Sequence, residues 1–468
     1  MLEALLMIPS LIVSLIYPGY DLLSFVITIL LILLVGVILS MIKPKSDEIN
    51  AMEGLAIVVL GWVGFSAFGS LPFIISGAIP SVVDAFFETV SGFTTTGATL
   101  LLDIESIPKG LLFWRSFTHW IGGMGILVFT LALLPTLRVG GFHIFKAESP
   151  GPVKQKIVPK IKDSAKILYI TYFLITLTQI ILLLLGGMSL YDACVHTFGT
   201  VGTGGFSNKA ASVAAYDSSY IHVIISLFMI ISGGNFALYF ALYKGRVRDF
   251  FKDEELRLYL FIVIMSTLLI AFNLVMSMDY PFLISIRDSL FQTSSIITTT
   301  GYATANYDLW PAFSKSILFM LMFVGGCAGS TTGAIKNIRI LVMLKLIKRE
   351  VSKIFHPRAM IPVKVNDKAL SSDTVSGILS FFALYILIFI IATITVSLEG
   401  IDLESASSAV AATLGNVGPG FGLVGPTMTF EPFSAPMKVL FSFLMLLGRL
   451  ELFTIIAFAM PRRWRNRV

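Results

Sequence analysis

The stretch DAFFETVSGFTTTGAT at 84–99 returns three more times, as DACVHTFGTVGTGGFS at 192–207, DSLFQTSSIITTTGYA at 288–303 and ESASSAVAATLGNVGPGFG at 404–422. Each opens on an acidic residue and reaches a glycine 13, 12, 13 and 14 residues later: Gly97, Gly204, Gly301 and Gly418. An acid at a helix start complements the free N–H groups and the dipole there. Each stretch therefore reads as a short helix running into a Gly/Thr-rich turn. Apolar segments of about 10–14 residues are too short to span a bilayer and read as re-entrant pieces.

Long apolar helices flank every copy. The first unit reads as 51–77, 80–92, 93–99 and 110–136; the second as 164–187, 189–201, 202–208 and 219–244. The third reads as 258–278, 283–297, 298–304 and 311–345, and the fourth as 372–398, 402–415, 416–422 and 434–460. Two further helices, 5–17 and 22–42, precede them and break at Pro18-Gly19. A repeat on this scale decides architecture. The fold class expected is an all-α polytopic membrane protein with four pseudo-symmetric helix–pore loop–helix repeats around one central pore, plus two extra N-terminal transmembrane helices. The chain divides into a helix pair (1–43), repeat 1 (51–136), a cytosolic linker (137–163), repeat 2 (164–245), repeat 3 with an intramembrane loop (256–345), a second linker (346–371) and repeat 4 (372–468).

Composition agrees. Of 468 residues, 56% are hydrophobic and 13% charged, with mean hydropathy +0.87, against about 25% charged in a soluble domain. This excludes a water-soluble enzyme, a nucleic-acid-binding domain and a disordered chain. Cys194, Cys327 and five scattered His residues form neither a disulfide framework nor a metal constellation. The first residues carry Glu3 and no Lys or Arg, and a second apolar span follows at once, so no cleavable leader is expected.

Of 34 Lys and Arg residues, 26 fall at 43–45, 138–162, 244–257, 336–368 and 462–467, all on one side of this topology. Acids dominate the other side. Basic segments stay cytoplasmic, so the short segments enter from outside and both termini are cytosolic.

Non-helical backbone survives at membrane depth only where protein or a water-filled cavity covers it. Four such stretches should therefore converge on one axis, each behind a half-helix whose C-terminal end brings partial negative charge. Gly turns carbonyls inward through positive φ and Thr adds uncharged hydroxyls. Carbonyl rings replace an ion's hydration shell in potassium filters, and an uncharged ring favours a dehydrated monovalent cation. The competing reading is close helix packing through small residues.

Below the third turn, Gly325-Gly326-Cys327-Ala328-Gly329-Ser330-Thr331-Thr332-Gly333 places four glycines in nine residues. Each costs about 1 kcal/mol against Ala inside a helix, and Ser and Thr compete for backbone hydrogen bonds. A helix break at mid-membrane is expected, with tight packing as the alternative. Arg449 reads as sitting midway along the last helix and facing the permeation path, since an ionisable group at that depth is functional by default. Glu451 is a poor partner for it at i+2. Lys336 is read as snorkelling to the cytosolic surface, with a gating role open. Arg115 and His119, in FWRSFTHWIGGMG, read as structural, with Glu88 as partner.

FTTTGAT (93–99), GTGGFS (202–207), TTTGYAT (298–304) and NVGPG (416–420) in this fourfold arrangement resemble the TrkH/KtrB superfamily of potassium uptake proteins. The resemblance covers nearly the whole chain, and the extra N-terminal pair makes it look closer to TrkH. It implies a potassium filter from the backbone of Thr95, Thr96 and Gly97; Gly202, Thr203 and Gly204; Thr299, Thr300 and Gly301; and Asn416, Val417 and Gly418. Relatives with Ser at the first filter position tend toward sodium, whereas this chain has Gly97. Pro419 departs from the pattern and implies imperfect symmetry and a less strict filter. The resemblance further implies a gate from the loop residues Gly325, Gly326, Gly329, Ser330, Thr331, Thr332 and Gly333 with Arg449, and Lys336, just past the loop, is a candidate for the same role by position. It also implies a homodimer, with each protomer holding its own pore, and docking on a cytosolic TrkA-like ring that binds nucleotides. No nucleotide motif is present in this chain. Potassium would be cargo, no organic cofactor is expected, and anionic lipids alone would account for the basic linkers. The setting implied is the cytoplasmic membrane of a bacterium or archaeon. A sodium- or proton-coupled secondary transporter is the alternative; a membrane enzyme lacks a visible catalytic constellation.

Overall fold

In the computed structural model, which describes residues 1–42, 51–125 and 161–459, large apolar side chains cover the outer faces as well as the core. The spanning helices show their Leu, Ile and Phe side chains outward, while the short helices between them bury Ser, Thr and Gly. α2 (Leu22–Ser40), with mean hydropathy 3.2, buries only Ser24, Phe25, Thr28 and Ile32. Helix α5 (Val82–Phe93) buries Glu88, Thr89, Ser91 and Gly92. Apolar side chains outward and backbone polar groups bonded within helices is the arrangement hydrocarbon solvent demands.

The remaining helices follow in chain order: α1 (Leu2–Ile16), α3 (Ala51–Gly69), α4 (Leu71–Ile75), α6 (Lys109–Gly123), α7 (Ile161–Leu185), α8 (Leu190–Val201), α9 (Ser219–Ser232), α10 (Phe236–Tyr243), α11 (Val247–Lys252), α12 (Glu254–Met278), α13 (Phe282–Ile297), α14 (Ala312–Leu321), α15 (Asn337–Phe355), α16 (Ser372–Ser397), α17 (Leu403–Leu414), α18 (Ala435–Arg449) and α19 (Leu452–Ala459). A two-stranded antiparallel hairpin, β1 (Lys364–Val365) and β2 (Lys368–Ala369), lies between α15 and α16. Five helices among the described residues are long and apolar enough to cross a membrane, or seven if two bent pairs each count as one span. The chain is a multi-pass helical membrane protein.

The short helices of the four repeats are α5, α8, α13 and α17. Ser81 caps α5 by accepting from Asp84 N, Ser189 caps α8 by accepting from Asp192 N, and Asp402 caps α17 by accepting from Ser405 N. The third repeat differs. Pro281 starts α13 early, and Asp288 lies inside that helix, buried and paired with Arg287 Nε at 2.9 Å.

The sequence reads the helix after each turn as continuous except in repeat 3, yet in repeats 2 and 4 it is sharply bent. The segment expected at 219–244 bends by 95° at Gly233-Gly234, and that at 434–460 bends by 113° after Arg449. α6 ends at Gly123, and 126–136 lie outside the described residues. In repeat 3 no helix forms between Leu321 and Asn337, as the Gly-rich sequence predicts. Of the basic segments, 43–45, 138–160 and 462–467 also lie outside the described residues.

Candidate ion-conduction site

The four turns share one backbone conformation. Thr95, Thr203, Thr299 and Asn416 have φ of 55°, 56°, 55° and 54°, and two residues later Gly97, Gly205, Gly301 and Gly418 have φ of 83°, 77°, 84° and 101°. Between them, Thr96, Gly204, Thr300 and Val417 donate their N–H to the carbonyls of Ser91, Gly199, Ser295 and Ala412 at 2.8–2.9 Å. A left-handed Thr costs of order 1 kcal/mol or more, and strain of this kind concentrates at functional sites.

This geometry corrects the register of the second repeat. Thr203, Gly204 and Gly205 occupy the places of Thr95, Thr96 and Gly97. Gly202 is the C-cap of α8, equivalent to Thr94 on α5. Residue type alone does not separate the adjacent Gly204 and Gly205; of the two, only Gly205 has positive φ.

The turns close a ring. A methyl group added to Gly97 would overlap the Gly204 carbonyl oxygen; on Gly205 it would overlap that of Thr300; on Gly301, that of Val417. On Gly418 it would lie 2.6 Å from the Thr96 carbonyl oxygen. The order runs repeat 1 to 2 to 3 to 4 and back to 1. No side chain fits at these four positions, and the C-terminal ends of four half-helices converge here.

Around the ring, polar groups lock the repeats together. Asn416 Nδ2 donates to Thr96 Oγ1 and to the Met445 carbonyl, both at 2.9 Å. Tyr302 Oη lies 3.1 Å from the carbonyl oxygens of His196 and Phe206 in the second repeat. Arg115 Nε meets Glu88 Oε1 at 2.6 Å, Arg115 Nη1 donates to Ser207 O at 3.1 Å, and Glu88 also accepts from Thr99 Oγ1 and Leu100 N. The expected Arg115–Glu88 pair is present and buried on both sides. His119 stacks on Phe206 with ring centroids 4.1 Å apart. Outside the ring, a vestibule is bounded by Ala98, Phe206, Gly301 and Pro419.

Beneath the ring lies the Gly-rich loop, bonded to repeats 2, 3 and 4 and linked to repeat 1 through Arg449. Gly333 N donates to Thr299 Oγ1 at 2.8 Å, Ala334 N to Gly415 O at 2.8 Å, and Thr331 Oγ1 to Val201 O at 3.2 Å. Arg449 completes the set: Nη1 donates to Thr331 O at 2.7 Å and to Thr95 Oγ1 at 3.2 Å, while Nη2 donates to the carbonyls of Gly122 and Gly123. Arg449 is the last residue of α18, at a helix break rather than mid-helix. Gly326 N donates to Thr332 Oγ1, and Gly329 O accepts from Phe236 N.

Lys336 does not snorkel. It is 2% exposed, and its Nζ turns into the loop to meet Thr332 O, Thr332 Oγ1 and Ser330 Oγ. The loop supplies enough oxygen acceptors to hold the ammonium, so the stem has no need to reach water. Glu451 pairs with Arg339 at 2.7 Å. A second cavity borders the loop and is lined by Trp62, Ser330, Lys336, Arg339, Arg449 and Glu451 among others.

Residues 23–465 match the model of the TrkH family, described as a cation transport protein. The chain belongs to the TrkH family. This TrkH-family chain is 39% identical over 431 residues to the Trk system potassium uptake protein TrkH of Escherichia coli, covering 91% of this chain and 88% of that one. It is 36% identical to TrkH of Halomonas elongata over 100% of this chain and 97% of the relative. The crystal structure of the potassium transporter TrkH from Vibrio parahaemolyticus superposes with a TM-score of 0.88 at 37% identity, over 99% of this chain and 97% of that one. The resemblance carried by the four turns is thereby shown, and the family is one of transporters, not enzymes.

Proposed function

We propose that this chain takes up potassium across the cytoplasmic membrane through the ring formed by the four turns. The observation that supports this is the closed cycle of glycine-to-carbonyl contacts from Gly97 through Gly205 and Gly301 to Gly418. Relatives at 36–39% identity are named potassium uptake proteins. With the corrected register, the backbone offered to the ion is that of residues 95–97, 203–205, 299–301 and 416–418. The loop at 325–333 obstructs the path below, and Lys336 and Arg449 hold it there while opposing a cation electrostatically. Control by a cytosolic nucleotide-binding ring, a homodimer with one pore per protomer, lipid contact at the basic linkers and cytosolic termini all accompany this reading.

Potassium and sodium flux in liposomes, for the unaltered chain and for Gly97→Ser, tests it. Gly97→Ser should weaken the preference for potassium; an unchanged preference removes the filter assignment. The two helix pairs bent by 95° and 113° also suit a coupled secondary transporter with broken helices. Flux that follows the potassium gradient without sodium or protons separates the pore from that alternative.

A further inference from the structure

One buried carboxylate spans the loop from outside the pore. Glu255, the second residue of α12, is 4% exposed, and its Oε1 accepts from Ala328 N at 2.6 Å and from Ile338 N at 2.9 Å. Ala328 lies in the first half of the loop, and Ile338 in the first turn of α15, where the chain leaves it. A single oxygen thus draws the two limbs of the loop toward α12. The neck is closed beside it: Gly325 N donates to Ile335 O at 2.9 Å, Asn337 N to Gly326 O at 3.0 Å, and Asn337 Nδ2 to Gly325 O at 2.6 Å.

The preceding residue faces the opposite way. Glu254 N donates to Asn366 Oδ1 at 3.0 Å, Asn366 N returns a bond to Glu254 Oε2 at 2.9 Å, and Lys345 Nζ of α15 reaches the same oxygen at 2.6 Å. Asn366 is the turn of the β1–β2 hairpin, in the left-handed region with φ of 47°. Asn366 Nδ2 also donates to Asp253 Oδ2 at 2.8 Å. The start of α12 therefore carries two adjacent carboxylates, one engaged by the hairpin and the other by the loop.

We propose that Glu255 is the positioning residue that keeps the intramembrane loop in its obstructing place, and that the β1–β2 hairpin is the external handle on it. The proposal rests on the gate reading above. Movement of the hairpin pulls on Asn366 and the first turn of α12, withdrawing Glu255 from Ala328 and Ile338. The loop backbone then loses an acceptor at both limbs, while its bonds with Arg449 and Thr299 remain.

Full-length protein in liposomes under a potassium gradient tests this with Glu255→Ala, Glu255→Gln, Asn366→Ala, the pair Glu255→Ala/Asn366→Ala, and deletion of 326–332 in parallel. Glu255→Ala should raise basal flux roughly tenfold, as expected when two hydrogen bonds to one buried acceptor are lost. Glu255→Gln should raise it less, because the amide oxygen still accepts. Asn366→Ala should also raise it, and the pair should not exceed Glu255→Ala alone. Potassium preference should stay constant throughout, which a general loosening of the fold would not preserve. Flux at or below the unaltered level in Glu255→Ala, with the deletion raising it, overturns the latch and leaves the gate standing. Wild-type flux in the deletion as well removes the gate reading itself. Additive effects in the pair overturn the handle. Should Glu255→Ala not purify, Glu255→Gln and Asn366→Ala decide by the same comparison.

Discussion

Arg449 Nη1 donates to the carbonyl oxygen of Thr331 at 2.7 Å, tying the last residue of α18 to the loop of the third repeat. The same guanidinium reaches Thr95 in the first repeat, so one side chain joins loop, ring and fourth repeat. Replacing it with Ala removes both a fixed positive charge from the proposed path and a tether. Basal rubidium uptake should rise in Arg449→Ala and rise less in Arg449→Lys, which keeps the charge and loses the planar fork. Equal uptake in all three proteins would place Arg449 outside the path.

The corrected register makes its own forecast. Gly205→Ser should disturb ion preference as Gly97→Ser does, because each glycine stands at positive φ against a carbonyl of the next repeat. The measurement is the ratio of potassium to sodium flux. A normal ratio in Gly205→Ser beside an altered one in Gly97→Ser would return the second filter to the register read from sequence alone.

Removing 326–332 leaves Gly325 and Gly333 to close the gap and takes away the Thr331 carbonyl that meets Arg449 and the Cys327 N–H that meets the Gly233 carbonyl. If the loop obstructs the path in most molecules, basal flux should rise about tenfold or more by simple population shift. A silent protein of normal yield would show that the segment only packs.

The Glu88–Arg115 pair is buried on both sides and reaches across to the Ser207 carbonyl. Removing one partner leaves an uncompensated charge, at a cost of about 3–5 kcal/mol. Arg115→Met should therefore melt well below the unaltered protein in detergent, while Arg115→Met with Glu88→Leu should recover part of the loss. A single variant as stable as the parent would mean that water reaches the pair.

Asp402 lies outside the spanning helices, and the Ser405 backbone N–H holds its carboxyl below the usual aspartate range. A lowered folded value means that its contribution is present at neutral pH and is lost as pH falls through that value, below about pH 4. Asp402→Ala should cost about 1 kcal/mol at pH 7, as for other caps, and the difference from the parent should shrink in acid. Melting curves at pH 7 and pH 3.5 read both.

The repeat pattern was legible because each copy runs from an acid to a glycine 12 to 14 residues later, and the Gly325–Gly333 break because four glycines outweigh any helix propensity. Three features were less accessible. The strained position in each turn is Thr or Asn, not the glycine that residue preference would nominate, and Gly204-Gly205 offers two registers of equal quality. The breaks after α9 and α18 are signalled only by Gly233-Gly234 and by Gly448, which are also common in unbroken membrane helices. Lys336 turned inward because Ser330 and Thr332 supply a nest of oxygens that exists only once the loop is folded.

Because the ring is drawn from one continuous polypeptide, each of its quarters is encoded separately. A homotetramer alters four equivalent positions with every substitution at such a site. Here one codon changes a single quadrant, as Pro419 beside Gly418 illustrates, so on the proposed reading ion preference is open to retuning in small steps while three quadrants stay unchanged.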